Sequence, residues 1–267
     1  MGTTLVLGDM HVGSLVAVWP ERGLLPEGGE WRLNKPQRHL LRRWKTLEER
    51  VSSLPKLDAI IVNGDVIDGA RPYNIGIVTP RLDYQASAAI DLLAPLREHR
   101  DKFYMIRGTG GHGGLADQDV TQIARALDAT VNKETGECTW PELLYDVGGD
   151  NIWQFAHHIG VSKRLAYRGT ALLSAFTDYK LELELAYGKR APNLTGMCRS
   201  HAHRMLHVDA DPWHMLAIPG WKLKDEYAYK VAPSSLPEIG YGLIEYDGSV
   251  RVRPMKFDIP VLHVEKA

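Results

Sequence analysis

Short apolar runs that end in glycine and a polar residue recur along the first half of the chain. Thr3–Leu7 (TTLVL) leads into Gly8-Asp9, Leu57–Val62 (LDAIIV) into Asn63-Gly64-Asp65, and Phe103–Ile106 (FYMI) into Arg107-Gly108. Each run predicts a β-strand that empties into a loop. Between them, apolar residues at three- and four-residue spacing predict amphipathic helices. The first starts at Pro36, carries Leu40, Leu41, Trp44, Leu47 and Val51 on one face, and stops before Pro55. The second runs from Asp83, with Ala86, Ala89, Ile90, Leu93 and Leu96 on its face. This βαβα order predicts a mostly parallel sheet whose ligands sit at the carboxyl ends of the strands.

Further along, a shorter helix is predicted over Val120–Ala129, a strand over Asn151–Ala156 and a helix over Ala171–Tyr187. Leu194–Arg199 then leads into Ser200-His201-Ala202-His203, and His214–Phe257 reads as β-rich, with a hairpin at Asp247-Gly248. Trp19–Pro36, rich in proline and glycine, reads as an irregular surface loop. No linker or repeat divides the chain, so one α/β domain is expected over residues 1–267, its C-terminal half adding a second, more antiparallel sheet.

Composition narrows the function. Of 267 residues, 44% are hydrophobic and 24% charged, which excludes a disordered or fibrous chain. Lys and Arg total 32 against 33 Asp and Glu, so the broad basic field of a dedicated nucleic-acid binder is lacking. Cys138 and Cys198 stand far apart, in neither a disulfide framework nor a thiolate zinc knuckle. The first residues lack an uninterrupted apolar core, and no run of eighteen apolar residues occurs, so a soluble cytoplasmic protein without a membrane partner is expected.

The candidate chemistry lies where the strands run out. Asp9 and His11 follow the first strand, Asp65 the second and His112 the third; His157 and His158 end a later strand, and His201 and His203 flank Ala202. Six of the eleven histidines belong to this set. In an extended segment residues two apart point the same way, so Asp9/His11 and His201/His203 are each expected to aim two ligands at one place. Imidazole with carboxylate suits zinc, iron, manganese or nickel and is too rich in nitrogen for magnesium or calcium alone. A single DxH or HxH arises readily by chance; four such elements, each at a strand end, do not.

These motifs resemble the blocks of the calcineurin-like metallophosphoesterase superfamily: GDMH at Gly8–His11, GDVID at Gly64–Asp68, RGTGGH at Arg107–His112, FAHH at Phe155–His158 and SHAH at Ser200–His203. The RGTxxH form is similar to a subgroup found in phage and prophage genomes. The resemblance implies a four-layer α/β/β/α sandwich with two divalent transition-metal ions (Mn, Fe, Zn or Ni) at the sheet edges. Asp9, His11 and His203 would hold the first ion and Asp65 would bridge to the second. His201 and one of His157/His158 would hold the second; His157 is preferred as the first histidine after the strand, leaving His158 to support a ligand or face the substrate. The third block departs from the family: Thr109 stands for the expected Asn, a weaker ligand, and Gly113 for the usual acid, so Asp117 or Asp119 is left to orient the imidazole. Asp68 reads as a loop or helix-cap carboxylate.

The reaction implied is hydrolysis of a phosphate ester, with His112 protonating the leaving group or stabilising the phosphoryl charge. Candidate substrates are a phosphorylated small molecule, a nucleotide or a nucleic-acid end. The alternatives are a nuclease of the same superfamily and a non-catalytic scaffold with a degraded second metal site. Trp19–Pro36, Arg71–Arg81, Trp221, Lys222 and Lys224 are candidates for the cleft wall, Trp221 being at least as well read as a structural residue. Arg107 is a candidate phosphate contact or a solvated strand-end charge, and Lys163, Arg164 and Arg168 a basic rim or a solvated loop.

Overall fold

The computed structural model describes residues 2–70, 76–112, 118–160 and 167–260. Its first layer is helical. Helix α1 (Lys35–Ser53) begins with Asn34 accepting a hydrogen bond from the Gln37 N–H, while Gln37 Oε1 accepts from the Asn34 N–H, a reciprocal cap that fixes the helix start. Its buried Leu40, Leu41, Trp44, Leu47 and Val51 pack with residues of α2 (Leu82–Arg97) and α3 (Gln118–Ala126) over the first sheet.

That sheet has the order β10-β9-β1-β2-β3, built from β1 (Gly2–Leu7), β2 (Leu57–Asn63), β3 (Arg100–Ile106), β9 (Ile239–Tyr246) and β10 (Val250–Phe257). Strands β1, β2 and β3 are parallel, whereas β9 pairs antiparallel with β1 and β10 antiparallel with β9. The hairpin expected at Asp247-Gly248 joins β9 to β10, with Tyr246 opposite Val250. It completes the first sheet and covers the free edge of β1; the C-terminal half does supply every strand of the second sheet, but that sheet is no more antiparallel than the first, each having two parallel and two antiparallel pairings.

The second sheet has the order β4-β5-β6-β8-β7, from β4 (Leu143–Asp146), β5 (Ile152–Phe155), β6 (Leu194–Arg199), β7 (Leu206–Ala210) and β8 (Trp213–Ala217). It is mixed: β5, β6 and β8 run parallel, with β4 and β7 antiparallel at the two edges. Helix α4 (Arg168–Tyr187) covers its outer face through Leu172, Phe176 and Leu183. A short helix, α5 (Glu226–Val231), interrupts the β-rich last third.

The three apolar clusters account for the layering. One lies between the helices and the first sheet. A second lies between the sheets, where Val6, Ile61 and Ile106 meet Trp153, Phe155 and Leu216, and a third lies between the second sheet and α4. The fold is therefore an α/β/β/α sandwich. No helix among the described residues is long and apolar enough to cross a membrane.

The inter-sheet layer depends on a close approach at β6. Trp153 is fully buried, and its indole lies where the Cβ of any larger residue at Gly196 would stand. Gly196→Ala therefore overpacks the layer and should lower stability by about 1–3 kcal/mol in urea unfolding; unchanged stability would show that the indole moves aside.

Candidate metal centre

The carboxyl ends of β1, β2, β5 and β6 meet at one edge of the sandwich, and there the chain leaves regular structure in an unusual way. Asp9 (φ 48°), His11 (φ 47°), Asp65 (φ 48°), His201 (φ 67°) and His203 (φ 50°) all adopt left-handed backbone. They are five of the seven non-glycine residues with positive φ among the described residues. Asp and His tolerate this region better than most residues, yet each costs on the order of 1 kcal/mol. The two-residue spacing in Asp9/His11 and His201/His203 thus works through left-handed turns; the expected extended geometry is corrected.

Backbone contacts hold these turns together across the two sheets. The Asp9 N–H donates to the Gly64 carbonyl at 3.0 Å, the His11 N–H to the Asp65 carbonyl at 3.0 Å and the Trp221 N–H to the Asp9 carbonyl at 2.8 Å. Asn63 Nδ2 donates to Ser200 Oγ at 2.8 Å and to the Ala156 carbonyl at 3.1 Å. Ser200, which replaces a motif glycine, is thus used to join β2 to β6. Gly64 (φ 88°) leaves room for the His157 ring, which a Cβ would strike.

Two buried carboxylates sit at the middle. Asp9 Oδ2 accepts the His201 N–H at 2.8 Å, whereas Asp9 Oδ1 is buried without a hydrogen-bond partner. Around that oxygen stand His203 Nε2 at 3.7 Å, His157 Nε2 at 3.8 Å and His11 Nε2 at 4.0 Å. Asp65 Oδ1 accepts the Thr109 N–H at 2.6 Å, and Asp65 Oδ2 lies 3.1 Å from His157 Nε2 and 3.9 Å from both His11 Nε2 and His112 Nε2. His11 and His203 bring their Nε2 atoms within 3.1 Å of each other. Two imidazole nitrogens that close are poorly served by each other and well placed to share a cation.

The charge balance follows from this packing. Burial and the neighbouring Asp65 charge push Asp9 up to about 6, against the pull of His157 and His11. Burial opposes ionisation of Asp65 too, but the His157 hydrogen bond and the His11, His157 and His112 charges outweigh it and hold Asp65 well below the usual carboxylate range. His157 is the counterpart: burial disfavours its charge, yet Asp65 and Asp9 push it up to about 9. Burial and the neighbouring imidazoles or Lys222 lower His158, His201 and His203 below their usual range, leaving them neutral and ready to ligate.

The candidate ligands Asp9, His11, Asp65, His112, His157, His158, His201 and His203 all lie at this edge. The groups able to offer mutually close donor atoms are Asp9/His11/His203, Asp9/Asp65/His157, His11/Asp65/His112 and His157/His158/His201. His157 is the buried member of its pair, in contact with Asp65; His158 is exposed and packs edge-on to His201, with ring centroids 4.9 Å apart. Thr109 Oγ1 lies 3.1 Å from Asp65 Oδ2 and 3.3 Å from His201 Nδ1. The orphaned Asp9 oxygen and a donor set of two carboxylates and several neutral imidazoles fit divalent transition-metal ions.

Other expectations are redirected. Asp68 is buried, with Oδ1 3.1 Å from His11 Nδ1 and 2.8 Å from Lys222 Nζ, so it orients a candidate ligand. This corrects its reading as a loop or helix-cap carboxylate. The last position of GDVID, Asp68, sits beyond the strand end, where its carboxylate reaches back to His11. His112 Nδ1 is 2.6 Å from the Asp68 carbonyl, which sets its ring; Asp117 lies outside the described residues. Trp221 is core, 4.7 Å from Trp44 between ring centroids, and Arg107 is bound to Thr139 and Glu137.

His11, Asp65, Thr109, His112, His201 and His203 line a cleft of about 900 Å³, whose other wall comes from Arg204, Lys222–Ala228 and Ser235–Pro237. Trp19–Pro36 does not line it, because Trp19 is buried and the segment packs over the helical layer. Residues 71–75 and Lys163-Arg164 lie outside the described residues.

No protein-family model and no curated protein matches the chain. Solved structures do. Vps29 from Chaetomium thermophilum is 11% identical, with 97% of this chain and 100% of that chain covered and a TM-score of 0.47. An archaeal phosphodiesterase is 8% identical over 96% of this chain and 99% of that chain, with a TM-score of 0.46. Vps29 from Entamoeba histolytica complexed with Zn2+ is 11% identical over 96% and 99%, with a TM-score of 0.42. All three TM-scores are below 0.5, so the functional reading rests on the chain's own residues. In the order of its motif blocks and in its α/β/β/α layering, the chain resembles the calcineurin-like metallophosphoesterases.

Proposed function

We propose that the protein is a metal-dependent phosphoesterase. The observation that carries this reading is the buried, unpartnered Asp9 Oδ1, ringed at 3.7–4.0 Å by three imidazole nitrogens, two of them on His11 and His203, which line an open cleft. Asp9, His11 and His203 would hold one ion, His157 and His201 the other, and Asp65 stands between them. Bound divalent ions would supply positive charge to the phosphoryl oxygens and a water acidified for attack.

The remaining roles belong to this chain's residues. Asp68 fixes the His11 ring through Nδ1, and Lys222 neutralises Asp68 from the other side. His112 keeps its Nδ1 proton on the Asp68 carbonyl, so Nε2 faces Asp65 and the cleft; as the imidazolium it can pass its Nε2 proton to the leaving alkoxide and remain as the neutral Nδ1–H ring. Arg204 lines the cleft beside His203 and offers a cation to the phosphate or its substituent. Thr109, in the place of an amide ligand, hydrogen-bonds Asp65, and the exposed His158 is the donor close enough to His201 to complete the second position. Two buried carboxylates and five residues in left-handed backbone favour a hydrolase over a scaffold, because each costs stability and a bound ion needs them. Substrates in this reading are phosphorylated small molecules, nucleotides or nucleic-acid ends; the near-neutral charge favours the first two over a duplex.

Hydrolysis of an aryl phosphate monoester and an aryl phosphodiester, with Mn2+, Zn2+ or Ni2+ supplied, tests the proposal. Asp65→Asn should abolish turnover while the fold survives, and His112→Ala should lower turnover about 10²–10⁴-fold with metal content unchanged. Wild-type turnover in Asp65→Asn would refute the assignment.

The pH dependence has a definite sign. Because His157 is pushed up to about 9, its proton stabilises the metal-stripped fold fully below pH 6.5, and that contribution is lost as pH rises through about 9. Metal must displace this proton, so affinity should rise about tenfold per pH unit between pH 6.5 and 9, with proton release on binding. Calorimetry in buffers of different ionisation enthalpy reads the release directly; pH-independent affinity would show that His157 is not a ligand.

A further inference from the structure

A second group of ligand-type side chains lies on β7 and β8 of the second sheet. The hairpin pairs Asp209 with His214 and His207 with Leu216. Strand alternation sends Leu206, Val208, Ala210 and Met215 toward α4, which leaves His207, Asp209 and His214 together on the opposite face. One donor atom from each lies within 4.8 Å of the other two.

The details point to an ion and not to a polar cluster satisfied by itself. His214 Nδ1 is 3.5 Å from Asp209 Oδ1, too long for a good hydrogen bond. It is close to the separation of about 3.3 Å expected for two ligands on one tetrahedral zinc ion. The imidazoles of His207 and His214 lie nearly parallel, centroids 5.7 Å apart and planes at 24°, and His214 is held from the other side by Trp153. His207 Nε2 and His214 Nδ1 are both buried without a hydrogen-bond partner. Each such atom has lost its hydrogen bonds to water without replacement, and two on one hairpin are unexplained by the fold alone. Asp209 is exposed, which leaves an entry path and room for a water as fourth ligand.

This group shares no residue with the centre above. His214 is the second residue of β8, whereas the opposite end of that strand leads through Ile218 to Trp221, which bonds the Asp9 carbonyl.

We propose that His207, Asp209 and His214 form a separate structural site for a zinc-type divalent ion, which clips the edge strand β7 to β8. Two imidazole nitrogens and a carboxylate oxygen are a zinc donor set, and a bound ion would satisfy both orphaned nitrogens at once. Binding to the folded chain alone would also stabilise the hairpin in proportion to the free ion.

The test uses the metal-stripped full-length protein titrated with Zn2+, in wild type, in Asp65→Asn, in Asp209→Asn and in the double variant His207→Asn/His214→Asn. The proposal expects a zinc-binding class that persists in Asp65→Asn, weakens at least tenfold in Asp209→Asn and vanishes in the double variant, which then binds one equivalent less than wild type. Turnover of the aryl phosphate with Mn2+ should be unchanged in Asp209→Asn. Because the double variant could unfold, histidine side-chain ¹⁵N spectra of Asp65→Asn provide an independent reading: Zn2+ should shift the His207 and His214 ring nitrogens. A zinc affinity that Asp209→Asn leaves unchanged in the Asp65→Asn background, or ring signals that Zn2+ leaves in place, would overturn the site.

Discussion

The contact between Asp65 and His157, 3.1 Å from carboxylate to imidazole, is the point on which the molecule turns. Asp65 follows β2 of the first sheet and His157 follows β5 of the second, so the ion pair closes the edge where the two sheets meet. Two carboxylates buried side by side repel each other and lose hydration, and a fold that keeps both must surround them with positive charge and donors. The Thr109 and His201 amides, and the imidazoles of His11, His112, His157 and His203, meet that demand. The remaining polar framework follows outward: Asp68 holds His11, Lys222 holds Asp68, and Asp225, which caps α5, also binds Lys222.

The strain at this edge has the same origin. Parallel strands deliver their ends to one line but point successive side chains to opposite faces. Turning Asp9, His11, Asp65, His201 and His203 into left-handed backbone re-aims their donors at a common point. The cost is offset by the hydrogen bonds between loops and by the apolar layer beneath, where Trp153, Phe155 and Ile106 fill the space between sheets.

Much of this was legible in the residue pattern. The strands leading to Asp9 and Asp65 carry continuous apolar runs because both faces of a central strand are buried, and the α1 stripe follows the helical period closely. What escaped was governed by distance or by brevity. Strand β4 is four residues long, and β7 alternates polar with apolar residues. The joining of β9 to β1 is a pairing between the two ends of the chain with no local signature. The role of Asp68 was obscured because its partners, His11 and Lys222, lie 57 and 154 residues away in sequence. Left-handed backbone at Asp and His leaves no trace in composition.

The central claim, that the strand ends form a centre for two ions joined by Asp65, is tested most directly by anomalous diffraction from crystals grown with Mn2+. The account predicts two peaks flanking the Asp65 carboxylate, one against Asp9, His11 and His203 and the other against His157 and His201. An absence of manganese at Asp65, with His157 still paired to it, would contradict the account.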